Sequence, residues 1–128
     1  MPVRKCTVAI VDNDPRLLES LGDLLESAGY SARLFQSAEA LLEDKILLSE
    51  LDCLVTDIGM PGIDGPELRK LVKQVQPQLR VIFITGRHEL ADAQWAVDQG
   101  TLILRKPFDA PALLTAVEQS SSSVNESE

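Results

Sequence analysis

The 128-residue chain carries 12 Lys or Arg residues against 20 Asp or Glu residues, which gives a formal net charge of −8 at pH 7. That balance argues against direct nucleic-acid binding, which needs a basic face to neutralise phosphates. No apolar run approaches the roughly 18 residues of a membrane span, and the apolar run over residues 6–11 is too short for the core of a secretory signal. We therefore expect a cytoplasmic protein with no direct nucleic-acid or membrane partner.

Apolar runs alternate with helical patterns from the start of the chain. The continuously apolar residues 6–11 predict a strand covered on both faces. Asp14 is a good N-cap for a helix over 15–28, with a proline in its first turn and a glycine after its end. Residues 31–35 predict a second strand, and 37–48 predict a second helix.

The same alternation continues through the rest of the chain. The remaining predicted elements are strands over 51–56, 80–84 and 101–105, helices over 66–75 and 88–99, and a last helix capped by Asp109. Successive strand–helix units predict an α/β fold with a doubly wound parallel sheet and helices on both faces. We assign one domain to residues 1–119, and we interpret the polar residues 120–128 as a flexible tail or the start of a linker.

Polar residues stand directly at the ends of four predicted strands: Asp12, Asp57, Thr85 and Lys106. Ligands of open parallel sheets bind beyond the carboxyl ends of the strands, so these residues predict one site. Two carboxylates about 4 Å apart repel by about 4 kcal/mol at an effective dielectric near 20, so a cation must offset their charge. Lys106 and a hard divalent ion such as Mg²⁺ would do so, and a carboxylate in that setting can attack a phosphoryl donor.

Four motifs surround these polar residues: Val-Asp-Asn-Asp at 11–14, Thr-Asp-Ile-Gly-Met-Pro-Gly-Ile-Asp-Gly at 56–65, Ile-Thr-Gly at 84–86 and Lys-Pro-Phe at 106–108. In their order and spacing they resemble the receiver domains of bacterial two-component response regulators. The resemblance covers roughly residues 6–118, and segment 35–42, with residues 82–86, is similar to receivers that precede helix-turn-helix output domains.

The resemblance implies a CheY-like strand order of 2-1-3-4-5 and a role for each polar strand end. Asp57 would accept a phosphoryl group from a sensor histidine kinase, and Lys106 would contact the bound phosphate. Thr85 would move its hydroxyl onto the phosphate. Mg²⁺ would be held by Asp12, by Asp57 and by the backbone carbonyl of Gly59.

The resemblance also implies how the signal leaves the domain. Phosphorylation would change the face formed by the fourth predicted helix, the fifth strand and the fifth helix. That change would reach a C-terminal output domain or a partner protein, or it would promote a homodimer. No enzymatic activity is expected beyond self-phosphorylation and self-dephosphorylation.

Some positions depart from the family pattern. Asn13 stands where the family usually has a second acid that binds the metal directly, so we expect weaker Mg²⁺ binding, with Asn13 either a weak ligand or a turn residue. Ile103 takes the place of the Tyr or Phe that moves inward on phosphorylation, in a segment that is one residue shorter than usual. The family's Lys–Pro bond is typically cis, so we expect a cis bond between Lys106 and Pro107.

Two other functions compete with the signalling interpretation. Asp12 and Asp14 form a D-x-D motif that resembles haloacid-dehalogenase-type phosphatases, but those enzymes need further acidic groups on a strand after the lysine. Steady turnover of a phosphate monoester would identify that activity. The other alternative is a degenerate receiver that acts only as an interaction module. Asn13 and Ile103 support it, whereas the presence of the acceptor, the hydroxyl and the lysine opposes it.

Overall fold

The computed structural model describes residues 6–86, 101–106 and 108–125. Its strands are β1 (Thr7–Val11), β2 (Ser31–Phe35), β3 (Cys53–Asp57), β4 (Arg80–Thr85) and β5 (Leu102–Arg105). Its helices are α1 (Pro15–Ser27), α2 (Ala38–Leu42), α3 (Lys45–Glu50), α4 (Gly65–Val75) and α5 (Ala110–Asn125). Within this part of the chain, no helix is both long enough and apolar enough to cross a membrane.

The strands form one parallel sheet in the order β2-β1-β3-β4-β5, which confirms the predicted fold class. The order reverses between β1 and β3, which lie side by side at the middle of the sheet. Asp12 follows β1 directly, and Asp57 is the last residue of β3. The topology therefore brings these two acids to the same edge, at the position where open α/β sheets bind ligands.

Both faces of the sheet are covered by helices, which explains the unbroken apolar runs in the sequence. One face, with Ala9, Leu54 and Phe83, belongs to a core cluster that also includes residues of α2, α3 and α4. The other face packs against α1 and α5 through Ile10 and Val55, among other residues. Because side chains alternate across a strand, a strand buried on both sides needs apolar residues at successive positions.

One predicted helix differs from the structure. The single helix predicted over 37–48 is wrong, because the chain forms α2 and then α3 with a break at Asp44. The Asp44 carboxylate accepts a hydrogen bond from the backbone N–H of Leu47 (3.1 Å), so it starts a new helix instead of continuing the first. The backbone of α5 is helical to Asn125. Serine lowers helix propensity without breaking a helix. The interpretation of residues 120–128 as a flexible tail or the start of a linker stays a prediction.

Candidate functional site

Asp12 is a buried acid at the end of β1. Its backbone N–H donates to the carbonyl of Phe35 (3.1 Å), which continues the ladder between β1 and β2. Its Oδ1 accepts from the backbone N–H of Asp14 (2.9 Å), and its Oδ2 lies 3.2 Å from Nζ of Lys106. Both carboxylate oxygens are therefore held in place, one by backbone and one by an ammonium group.

Asp57 ends β3 with its side chain 13% exposed, so solvent or a donor molecule can reach the carboxylate. Its Oδ2 lies 3.7 Å from Nζ of Lys106. Burial raises the pKa of Asp57 above its ordinary value, and the negative charge of Asp12 raises it further. Lys106 and the backbone N–H groups of Gly59 and Ile58 lower the same pKa but do not cancel the effect of burial.

Lys106 bridges the two acids from the end of β5. Its backbone N–H donates to the carbonyl of Thr85 (2.7 Å), which ties the ends of β4 and β5 together. Thr85 is the last residue of β4 and is buried. The structure thus brings Asp12, Asp57 and Lys106 into direct contact and puts Thr85 at the same edge, as the sequence predicted.

The loop between β3 and α4 is held close to Asp57 by Gly65, a residue that the sequence analysis did not single out. The backbone N–H of Gly65 donates to the carbonyl of Ile58 (2.9 Å). A Cβ atom at Gly65 would lie only 2.5 Å from the backbone oxygen of Asp57, so no larger residue fits. Asp64 caps α4 by accepting from the N–H of Glu67 (3.0 Å). The Asp-Gly-Pro sequence at the start of this helix was the signal available.

Asp14 has a structural role that removes it from the reactive group. Its carboxylate accepts from the backbone N–H groups of Arg16 (3.0 Å) and Leu17 (3.5 Å), so it is the predicted N-cap of α1. A D-x-D phosphatase would need this second acid for proton transfer. Asn13, between the two aspartates, is exposed at the rim of the site.

Ile103, another position singled out in the sequence, lies in β5. Ile103 pairs with Phe83 and packs, half-buried, against the core cluster that contains residues of α2, α3 and α4. The predicted cis bond at Lys106–Pro107 and the predicted helix over 88–99 lie outside the described residues.

The residues at this edge fit a magnesium ion. Mg²⁺ prefers oxygen donors and needs only one or two carboxylates, with water and carbonyl oxygens completing the shell. Asp12 and Asp57 supply two carboxylates that converge on one ammonium group, and Gly59 supplies a carbonyl two residues beyond Asp57. In the described ranges no group of three or more His, Cys, Asp or Glu side chains gathers as a metal cluster.

Residues 8–118 match the family model of the response regulator receiver domain. The chain belongs to this family. Receiver domains act in two-component signalling, where histidine kinases phosphorylate them; they generally bind Mg²⁺ at the phosphorylation site and are not in general catalytic enzymes. The predicted family and signalling function are thereby confirmed, and the phosphatase alternative is not favoured.

The relatives agree with this assignment. The chain is 36% identical over 112 residues to the transcriptional regulatory protein FixJ of Bradyrhizobium diazoefficiens, and the aligned region covers 87% of this chain and 54% of FixJ. It is 37% identical over 118 residues to the DNA-binding transcriptional regulator NtrC of Klebsiella pneumoniae. That aligned region covers 91% of this chain and 25% of NtrC. The chain therefore spans about half or less of these relatives.

A solved structure shows the same fold over nearly the whole chain. A response regulator receiver domain protein from Clostridium thermocellum superposes with a TM-score of 0.86 at 26% identity. The match covers 96% of this chain and 99% of that one.

Proposed function

We propose that Asp57 is the phosphoryl acceptor of this receiver domain. The supporting observation is its position: a nearly buried carboxylate at the end of a central strand, with its Oδ2 3.7 Å from the Lys106 ammonium. In the transfer, a carboxylate oxygen of Asp57 forms a bond to phosphorus while the N–P bond of the kinase's phosphohistidine breaks. The imidazole nitrogen keeps the electron pair and takes a proton.

The neighbours of Asp57 act by neutralising charge and by positioning. Lys106 compensates the negative charge that collects at the edge as the phosphoryl group arrives, and it keeps contact with the product. The hydroxyl of Thr85 donates a hydrogen bond to the phosphate. Mg²⁺, held by Asp12, Asp57 and the Gly59 carbonyl, would neutralise the oxygens of the transferring group.

The departures from the family pattern are proposed to tune this site. Asn13 offers no charge, which weakens metal binding. Ile103 has no polar tip, so it transmits less of the Thr85 movement than an aromatic side chain would. The proposed partners are a sensor histidine kinase in the cytoplasm and a C-terminal output domain or partner protein. The face formed by the helix predicted over 88–99, β5 and α5 would carry the signal, with or without homodimerisation.

Incubation with acetyl phosphate and Mg²⁺, followed by intact-mass measurement, tests the acceptor. We expect one added phosphoryl group on the wild-type protein and none on Asp57→Asn. Asp52→Asn is the matched control, because Asp52 binds the backbone N–H of Thr7 at the opposite edge of the sheet (2.8 Å). It should be phosphorylated like the wild type.

Two results would contradict the proposal. A full phosphoryl mass on Asp57→Asn would assign the acceptor to Asp12 or Asp14. The second result is a folded wild-type protein that gains no mass with either acetyl phosphate or a kinase. That result would favour the alternative function, an interaction module that is not phosphorylated.

A further inference from the structure

Glu39, in the first turn of α2, forms a hydrogen bond with the loop between β3 and α4. Oε2 of Glu39 accepts a hydrogen bond from the backbone N–H of Ile63 (3.3 Å). The same oxygen would lie 2.6 Å from a Cβ atom built on Gly62, and Gly62 has a φ of 76°, in the region that favours glycine. The carboxylate of Glu39 therefore occupies the space that a side chain at position 62 would need.

This contact is made at Ile63, a half-buried residue that also packs against the core cluster containing residues of α2, α3 and α4. Ile58 and Met60 are buried, so the start of the loop is anchored in the core. Its end is anchored where Gly65 bonds to the Ile58 carbonyl (2.9 Å). Between these anchors Pro61 and Gly62 are exposed, and the bond from Glu39 is made directly beside them.

Glu39 is itself connected to the other side of the site. The carbonyl of Phe35, at the end of β2, accepts the backbone N–H of Asp12 (3.1 Å). Two residues later Ser37 caps α2 by accepting from the N–H of Ala40 (3.1 Å), and Leu41 buries the helix against the core. A short, ordered path thus runs from Asp12 through β2 and α2 to the loop that contains Gly59.

We propose that Glu39 is a positioning residue. It holds the β3–α4 loop in the position in which the Gly59 carbonyl can bind a cation held by Asp12 and Asp57. The inference rests on the proposed function, because it takes the cation to bind beside the phosphoryl acceptor. A purely structural role is separable from it. An acid in the first turn of a helix stabilises the helix dipole, and its loss lowers stability without changing metal affinity.

The test is titration calorimetry of Mg²⁺ into metal-free protein without any phosphodonor. We expect Glu39→Ala to raise the dissociation constant about threefold to tenfold, the change expected for the loss of one exposed hydrogen bond. Glu39→Gln keeps an oxygen that can accept from Ile63 and should stay within about twofold of wild type. Both variants lose the same charge, so a shared loss of stability cannot explain a difference between them.

Glu43→Ala is the matched control, since it removes an acid from the end of the same helix with the same change in net charge. It should leave the Mg²⁺ affinity unchanged. Gly62→Ala supplies an independent variant, because its methyl group displaces the Glu39 carboxylate and breaks the bond to Ile63. Its effect on Mg²⁺ affinity should be smaller in the Glu39→Ala background than in wild type.

The inference is overturned if Glu39→Ala binds Mg²⁺ as tightly as wild type, or if Glu39→Gln is as weak as Glu39→Ala. Additive effects of Gly62→Ala and Glu39→Ala would also overturn it. In each of these cases the wild-type protein still binds Mg²⁺ and accepts a phosphoryl group, so the proposed function stands. If the wild-type protein binds no Mg²⁺, the magnesium part of the proposed function and this inference both fall.

Discussion

Polar side chains occur at both edges of the sheet, but they bond to different kinds of partner. At the edge where the strands begin, Asp52 and Gln76 bond to backbone groups, and Nε of Arg69 donates to the neutral hydroxyl of Thr101 (3.1 Å). Oδ2 of Asp52 accepts from the N–H of Thr7 (2.8 Å). Nε2 of Gln76 donates to the carbonyls of Leu48 (2.7 Å) and Leu51 (2.9 Å), which join the end of α3 and the start of β3 to the end of α4.

At the edge where the strands end, charged side chains bond to one another. Nζ of Lys106 lies 3.2 Å from Asp12 and 3.7 Å from Asp57, with Asp57 in an environment that raises its pKa. A buried acid beside a second acid is less stable than a polar group bonded to backbone, but it is ready to react. The first edge thus stabilises the fold, whereas the second carries the groups that are proposed to react.

Gln76→Ala should have the largest effect on stability. It leaves two partly buried carbonyl groups without their donor, so the free energy of unfolding should fall by about 1–3 kcal/mol. Urea denaturation measures this, and phosphorylation by acetyl phosphate should persist in the folded variant. Gln74→Ala, an exposed glutamine on the same helix, is the control. Equal stability of the two variants would show that the edge where the strands begin does not depend on the two hydrogen bonds from Gln76.

Asp57→Asn should change stability in the opposite direction. Because the folded pKa of Asp57 lies above its ordinary 3.8, its contribution to stability is full below that value and is lost as pH rises through the folded pKa. Above the folded pKa the wild-type protein bears the cost of ionising a largely buried carboxyl group, and Asn removes that cost. The variant should therefore be the more stable at pH 7 in metal-free buffer, and the difference should shrink on acidification. A difference that is independent of pH would contradict the raised pKa.

The two neighbours of Asp57 should move its pKa in opposite directions. Lys106→Met removes the positive charge and should raise the pKa of Asp57, whereas Asp12→Asn removes a negative charge and should lower it. Carboxyl-carbon NMR titrations of the metal-free proteins measure both shifts. If the pKa of Asp57 shifts in the same direction in both variants, then burial, and not the charges of Lys106 and Asp12, controls that pKa.

Asn13→Asp should have the smallest effect of this series, since Asn13 is exposed. The added carboxylate charge should tighten Mg²⁺ binding, by roughly tenfold at most. Asn13→Ala provides the comparison without an oxygen donor. Unchanged affinity in Asn13→Asp would place this position outside the coordination shell and leave it a turn residue.

The sheet could be predicted because its central strands β1, β3 and β4 are buried on both faces. Apolar runs such as Val8–Val11 are explained by that burial, and the polar residue after each run marks the edge. Asp14 was recognisable as a cap because proline follows it. The positions of these polar residues at one edge could therefore be predicted from the order of residues along the chain.

What the sequence did not show depends on contacts between distant segments. The break before α3 was hidden because Asp44 lies within a run that fits one helical pattern. The role of Gly65 depends on how closely α4 approaches the backbone of Asp57, and that of Glu39 depends on a bond to Ile63. Neither distance is encoded in local spacing.

The acceptor itself can be located directly. Borohydride reduction of the acetyl phosphate-treated protein converts an aspartyl phosphate to homoserine, and peptide mass mapping then identifies the modified position. The result expected here is modification at Asp57 alone, in the peptide that joins β3 to the loop. Modification at Asp12 or Asp14 would contradict the assignment of Asp57 as the acceptor, because both of those acids are bonded to backbone N–H groups at the same edge of the sheet.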